Sequence, residues 1–195
     1  MSRIASVWVC VARVPLDRIT SFSNRTLSAR DYCLVKVRST EGVEGIGYCY
    51  AGSSAGSITQ GAVEELLAPK LLGEESTRVE GLWEAMYREA LLQGRSGSVM
   101  RAISALDNAL WDLNARAVGL PLYSYLGCWA KDRVPAYASG GYYLEGKSLR
   151  GWRRKWAVTP NKALRRSRSK SAGWRRRKKK HASAPHARQS ALTSS

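Results

Sequence analysis

The last 49 residues, 147–195, contain no aspartate or glutamate, yet they hold 17 of the 32 Lys+Arg residues of this 195-residue chain. That absence excludes carboxylate general acids and any hard-cation site of carboxylate ligands from the segment. Residues 1–146 hold the remaining 15 basic residues and all 15 acidic ones, so the net charge of +17 belongs entirely to one end. A whole-chain charge of that size misleads as a guide to partners, because a basic surface matters when it is part of a folded face. Histidine is nearly absent, and His181 and His186 both fall in the basic segment, where a solvated side chain is the simpler reading. The four cysteines, Cys10, Cys33, Cys49 and Cys128, form no CxxC pair and lack the density of a disulfide scaffold. They read as reduced thiols of a cytoplasmic protein, three of them small buried groups in strand-like runs. No apolar run approaches the roughly 20 residues that span a bilayer. Residues 4–12 loosely imitate a signal peptide, but Arg13 interrupts them and no small-residue cleavage site follows.

The 44% apolar content is ordinary for a globular chain, and the neutral part can bury a core. Residues 4–14, 31–39 and 43–50 alternate and are rich in β-branched side chains, which predicts three strands, the last two joined by the turn Thr40-Glu41-Gly42. Residues 15–30 and the Gly/Ser stretch 51–57 read as long loops, and such loops tend to carry function. Apolar residues at helical spacing predict one helix through Ala62, Val63, Leu66 and Leu67, and a second after Ser76 through Val79, Leu82, Trp83, Met86 and Leu91. A third helix is expected from about Ser98 to Ala117, stopped by Gly119 and Pro121. Pro121 opens a short helix, and residues 134–139 read as one more strand, ended by Gly140-Gly141. Beyond Lys147 neither period persists: Trp152, Trp156 and Trp174 are scattered among Arg and Lys, and the end is Ser/Ala/Arg-rich.

That order of elements resembles the mandelate racemase and muconate lactonizing enzyme branch of the enolase superfamily. So does the wording of Glu41-Gly42-Val43-Glu44-Gly45-Ile46-Gly47-Tyr48, of Ala105-Leu106-Asp107-Asn108-Ala109-Leu110-Trp111-Asp112-Leu113, and of Gly119-Leu120-Pro121-Leu122-Tyr123. The resemblance covers residues 4–146. It implies an α+β fold: a three-stranded antiparallel meander followed by a helical bundle, the enolase-like N-terminal capping domain, over residues 1–130. A single strand of an incomplete TIM barrel would occupy residues 131–147, and a disordered basic tail residues 148–195. Enzymes of this family remove the proton α to a carboxylate, with Mg²⁺ stabilising the enediolate and a Lys or His as base. Racemization, dehydration and cycloisomerization share that intermediate.

The family's catalytic groups lie on the barrel, often as a Lys-x-Lys on the second strand and three Asp/Glu on later ones. Here the only Lys-x-Lys is Lys178-Lys179-Lys180, inside a basic run without strand pattern, so no catalytic or metal-binding residue and no cofactor is assigned to this chain. By resemblance, the loops at residues 15–30 and 48–57 would cover the barrel mouth, and Ser139 would end a barrel strand, where active sites gather. Ser21, Phe22, Tyr50 and Ser139 are the implied substrate contacts, for a carboxylate or sugar-acid substrate of the intact enzyme. Asp107 and Asp112 read as structural hydrogen-bonding groups. A membrane partner is not expected, nor is an oligomer of the family's kind.

A frameshift near Lys147 accounts for both the loss of acidic residues and the loss of resemblance. Synonymous codons for residues 151–173, read one frame over, permit LAEEMGRYAEQGFAAVKIKVGG, an acidic helix, a turn and a strand with Lys-x-Lys. The expectation is therefore a truncated, frame-disrupted family member that is not an enzyme as it stands. The rival reading is an authentic basic tail that binds nucleic acid without sequence preference, through Arg153-Arg154-Lys155, Arg165-Arg166 and residues 175–180.

Overall fold

The computed structural model describes residues 2–22 and 25–127, together with the backbone of three short strands at 137–140, 143–144 and 166–169. The chain divides into two compact units, one of residues 1–19 and 25–133, the other of residues 20–24 and 134–195.

The first unit is built on an antiparallel meander of β1 (Ile4–Phe22), β2 (Arg25–Ser39) and β3 (Glu44–Gly52), with β2 in the middle. The β2–β3 turn is the expected one. The Gly42 N–H donates to the Ser39 carbonyl at 3.0 Å, and Gly42 takes φ +84°, a conformation that favours glycine. Along β2 and β3 the odd-numbered residues face inward, so Cys33, Val35 and Val37 are fully buried while Ile46, Tyr48 and Tyr50 stand on the outer face.

Residues 15–30, expected to form a loop, instead extend both strands: β1 continues to Phe22 and β2 begins at Arg25. Residues 13–19 are mostly exposed, so this two-sided polar ribbon lacks the apolar alternation that betrays a half-buried strand.

The helices stack on the inner face. α1 (Gly56–Gly61) runs on through a wide π-type turn, Ala62–Leu67, and a tight turn, Ala68–Lys70, where Pro69 lacks the N–H needed to continue. α2 (Val79–Glu89) and α3 (Ser98–Ala117) follow, the latter at the bounds its spacing predicts. Ala102, Ile103, Leu106, Ala109, Leu110 and Leu113 make one fully buried stripe on α3, against Val35, Val37, Val63, Leu67, Leu71 and Met86. Gly119, at φ +69°, ends α3, with Leu120 N–H donating to the Ala115 carbonyl at 2.9 Å. α4 (Leu122–Tyr125) then turns back, and Tyr125 meets Trp111 edge-on with ring centroids 6.0 Å apart.

In the second unit, β4 (Tyr137–Gly140) lies where a strand is expected, although residues 134–136 and 141 are outside the described ones. β5 (Tyr143–Leu144) pairs antiparallel with Thr20 and Ser21. β6 (Arg166–Ser169) pairs in parallel with β4, from Tyr137 opposite Arg166 to Gly140 opposite Ser169. The sequence reading places no element beyond residue 148. β6 alternates Arg and Ser, with no apolar face to signal a strand, and what it offers β4 is backbone hydrogen bonding. The other residues of the basic tail, including the tryptophans, both histidines and residues 178–180, lie outside the described ones, as does Cys128.

Candidate functional site

Where β3 ends, two side chains, Asp31 and Arg13, hold the connection into α1. Asp31 is buried where β2 begins to pair with β3, beside a register shift between Asp31 and Tyr32. Its Oδ2 accepts the Gly56 N–H at 3.4 Å, and its Oδ1 lies 3.8 Å from Arg13 Nε. Arg13 also donates through NH2 to the Ser53 carbonyl, at 3.2 Å. Residues 53–56 are therefore latched at both ends by one Arg–Asp pair, whose cation is exposed and whose anion is not. Asp31 Oδ1 is one of three buried polar side-chain atoms without a hydrogen bond among the described residues, the others being Ser2 Oγ and Thr59 Oγ1. Sequence reasoning missed this latch. The one signal for it was Arg13 interrupting an apolar strand.

Tyr50, a sequence-predicted substrate contact, precedes this loop on the outer face. Its ring lies 5.9 Å from that of Tyr32. Arg101, near the start of α3, sits 5.9 Å above the Tyr50 ring and donates to the Tyr50 carbonyl at 3.1 Å. Tyr50 thus belongs to a structured aromatic and cationic corner of the first unit. Ser21 and Ser139 belong to the second unit, Ser21 opposite Tyr143 and Ser139 opposite Arg168. Phe22 closes β1. β1 and β4, which carry Ser21 and Ser139, have different partner strands.

A groove of about 380 Å³ on the sheet's outer face is lined by Trp8, Leu34, Lys36, Arg38, Glu44 and Ile46, among others. Lys36 Nζ is paired there with Glu44 Oε1 at 3.1 Å, so the groove offers an apolar floor with a neutralised cation.

The acidic residues of α3 serve the scaffold. Asp112 Oδ2 accepts the Ile46 N–H at 2.9 Å and Arg116 Nε at 2.8 Å, tying β3 to the helix. Asp107 is pushed above the usual carboxylate value of 3.8 by burial, against a hydrogen bond from Trp111 that favours its charged form. The folded state therefore keeps this proton to higher pH than the unfolded chain does. Stability from this group is full below the usual value, declines as pH rises through the raised one, and stays lower above it. Asp107→Asn is expected to raise the melting temperature at about pH 7 and leave it unchanged at about pH 3, as followed by circular dichroism.

No group of three or more His, Cys, Asp or Glu among the described residues is placed to hold a metal ion. Residues 147–195, which hold no aspartate or glutamate, offer no side-chain carboxylate to a hard cation such as Mg²⁺. No described helix is long and apolar enough to cross a membrane.

The profile of the mandelate racemase / muconate lactonizing enzyme N-terminal domain matches residues 4–127. Arabinonate dehydratase of Saccharolobus solfataricus is 38% identical over 116 residues, which are 58% of this chain and 30% of that enzyme. The 3,6-anhydro-alpha-L-galactonate cycloisomerase of Streptomyces coelicolor is 32% identical over 129 residues, 66% of this chain and 36% of that one. Among solved structures, L-talarate/galactarate dehydratase of Salmonella typhimurium, with Mg and L-lyxarohydroxamate bound, superposes with a TM-score of 0.76 at 26% identity, covering 92% of this chain and 48% of that one. The chain thus spans 30–48% of the length of these relatives.

Proposed function

The chain belongs to the mandelate racemase and muconate lactonizing enzyme family through its N-terminal domain, and on that premise we propose that it carries the capping domain of an enzyme that abstracts the proton α to the carboxylate of a sugar acid. The profile match over residues 4–127, on a meander-and-bundle fold shared with a sugar-acid dehydratase, is the observation that carries this reading. Relatives named as dehydratase and cycloisomerase support the reaction class, and the choice between those outcomes belongs to the intact enzyme. The capping domain occupies residues 1–130, and residues 131–147 supply the first barrel strand and its loop. Ser21, Phe22, Tyr50 and Ser139 would contact substrate. Cysteines without a disulfide pattern suit the cytoplasm.

Acting alone, the chain does not turn over. The reaction needs a base and hard-oxygen metal ligands supplied by strands after β4, and residues 147–195 offer no carboxylate. Residues 148–195 are a frame-disrupted reading of the barrel. One coincidence supports this: β6 runs parallel to β4, and its codons, read one frame over, permit the Lys-x-Lys strand that the family places second.

The test is to read the coding DNA from the Tyr137 codon onward in all three frames, and to assay Mg²⁺-dependent exchange of the α proton of sugar acids. The present chain is expected to show no exchange, and the product of a one-base repair is expected to show it. Exchange by the pure, unrepaired chain overturns the reading. A second reading draws on the 17 basic residues of the tail, which suit nonspecific nucleic-acid binding. Its retention on nucleic acid would fall steeply with salt and be indifferent to sequence.

A further inference from the structure

Two of the described cysteines face each other across the meander. Cys33 on β2 and Cys49 on β3 are direct register partners in an antiparallel pair, away from the register shift at Asp31/Tyr32. Both occupy odd positions, so both side chains stand on the inner face. Directly opposed residues in such a ladder have Cα atoms about 4.5 or 5.5 Å apart, and a disulfide accepts roughly 4.4–6.8 Å. Both thiols are free, and each perturbs the ionisation of the other.

The pair is asymmetric in two respects. Cys33 is fully buried whereas Cys49 is partly buried, so a reagent from solvent meets Cys49 first. The Cys49 thiol is held below its ordinary value by S–H donation from Cys33, which prevails over desolvation and is assisted by the positive charge of Arg101. Cys33 is pushed up by that same hydrogen bond and by burial. Cys49 is thus the more readily ionised thiol of the pair, and the thiolate is the nucleophile in exchange.

From this geometry we infer that Cys33 and Cys49 form a dithiol that low-molecular-weight disulfides oxidise reversibly, with Cys49 attacking and Cys33 resolving. In the first step the Cys49 thiolate attacks one sulfur of the small disulfide, forming a mixed disulfide and releasing one small thiolate. In the second, Cys33 loses its proton and attacks Cys49 Sγ, forming the Cys33–Cys49 bond and releasing the second small thiol. Two protein thiols lose two electrons, and one small disulfide is reduced to two thiols. The bond clamps β3 to β2 just before Tyr50 and the loop that Arg13 and Asp31 latch. Local hydrogen bonding and Arg101, with no CxxC motif, supply the reactivity.

The test treats the reduced full-length chain with oxidised glutathione under native conditions and maps non-reduced peptides by mass spectrometry. The expected product links residues 33 and 49, retains no glutathione, loses both free thiols together and recovers them with dithiothreitol. Cys33→Ser is expected to trap glutathione on Cys49, whereas Cys49→Ser leaves residue 33 unmodified. Stable glutathione on wild-type Cys49 with Cys33 free, a link that instead engages Cys10 or Cys128, or two thiols inert under native conditions would each overturn the inference. The wild-type map decides even if a variant fails to fold.

Discussion

Gly47→Val is expected to unfold the capping domain. A Cβ built on Gly47 would overlap the backbone carbonyl oxygen of Ala105 and press on the Ala109 amide, and one on Gly45 would overlap the Ala109 carbonyl and Leu113. β3 thus lies directly on the backbone of α3, with no side-chain layer between them. Ordinary overpacking is relieved by rotamer changes and costs about 1–3 kcal/mol. Here the obstacle is helix backbone, so strand and helix must separate, and with them goes the Ile46 to Asp112 hydrogen bond that ties the two. A loss above roughly 3 kcal/mol is a large share of a stability typically near 5–15 kcal/mol. Gly61 is the control. It is helical, at φ −58° and ψ −38°, and a Cβ there meets nothing within 4 Å. Gly61→Ala should therefore stabilise by about 0.5–1 kcal/mol. Urea unfolding followed by circular dichroism checks both, and a Gly47→Val chain with an unchanged midpoint would contradict the close approach of β3 to α3.

Asn114→Ala is the second large loss. Asn114 is 3% exposed and Ser76 1%, so water reaches neither side chain freely. Asn114 Nδ2 donates to the Ser76 carbonyl at 2.7 Å, and Asn114 Oδ1 accepts from Ser76 Oγ at 3.0 Å. The Ser76 N–H donates to the Ser2 carbonyl at 3.1 Å, so this amide joins α3, the entry to α2 and the start of β1. Truncation to alanine strands a buried carbonyl and a buried hydroxyl, each costing about 1–3 kcal/mol, and a total of about 2–6 kcal/mol follows. Ser76→Ala removes only the hydroxyl and should cost about 1 kcal/mol, since the Nδ2 donor keeps its carbonyl partner. The double variant should then lose little more than Asn114→Ala alone, because the two residues share one network. Additive losses in that cycle would show that the two side chains act independently.

Both effects mark where local reading stops. Gly45 and Gly47 are legible as part of a family-like phrase and as small residues in a strand, but nothing in their neighbourhood says that α3 lies against them. Asn114 reads as one polar residue within a helical period whose other inward positions are apolar. Its role appears only when Ser76, 38 residues away in sequence, is brought beside it. Arg13 and Asp31 are similar: each spoils or ends a strand pattern, and only their meeting at residues 53–56 explains both. Of the substrate contacts read from the sequence, Tyr50 lies in a corner completed by Arg101, which no periodicity could have singled out.

The sequence by itself determined the family, the meander with its Gly42 turn, the bounds of α3 and the sharp divide between a neutral domain and a basic segment without carboxylates. These are carried by periodicity, turn chemistry and charge, which act over a few residues or are summed along the chain. Tertiary structure alone decided that the stretch at residues 15–30 is mostly a strand ribbon, that β3 rests on bare helix backbone, that Asn114 bridges three segments, and that Cys33 faces Cys49. In each case the deciding interaction joins groups distant in sequence, through backbone pairing or polar contacts that leave no apolar period behind. Such contacts come into existence only once the chain has closed on itself.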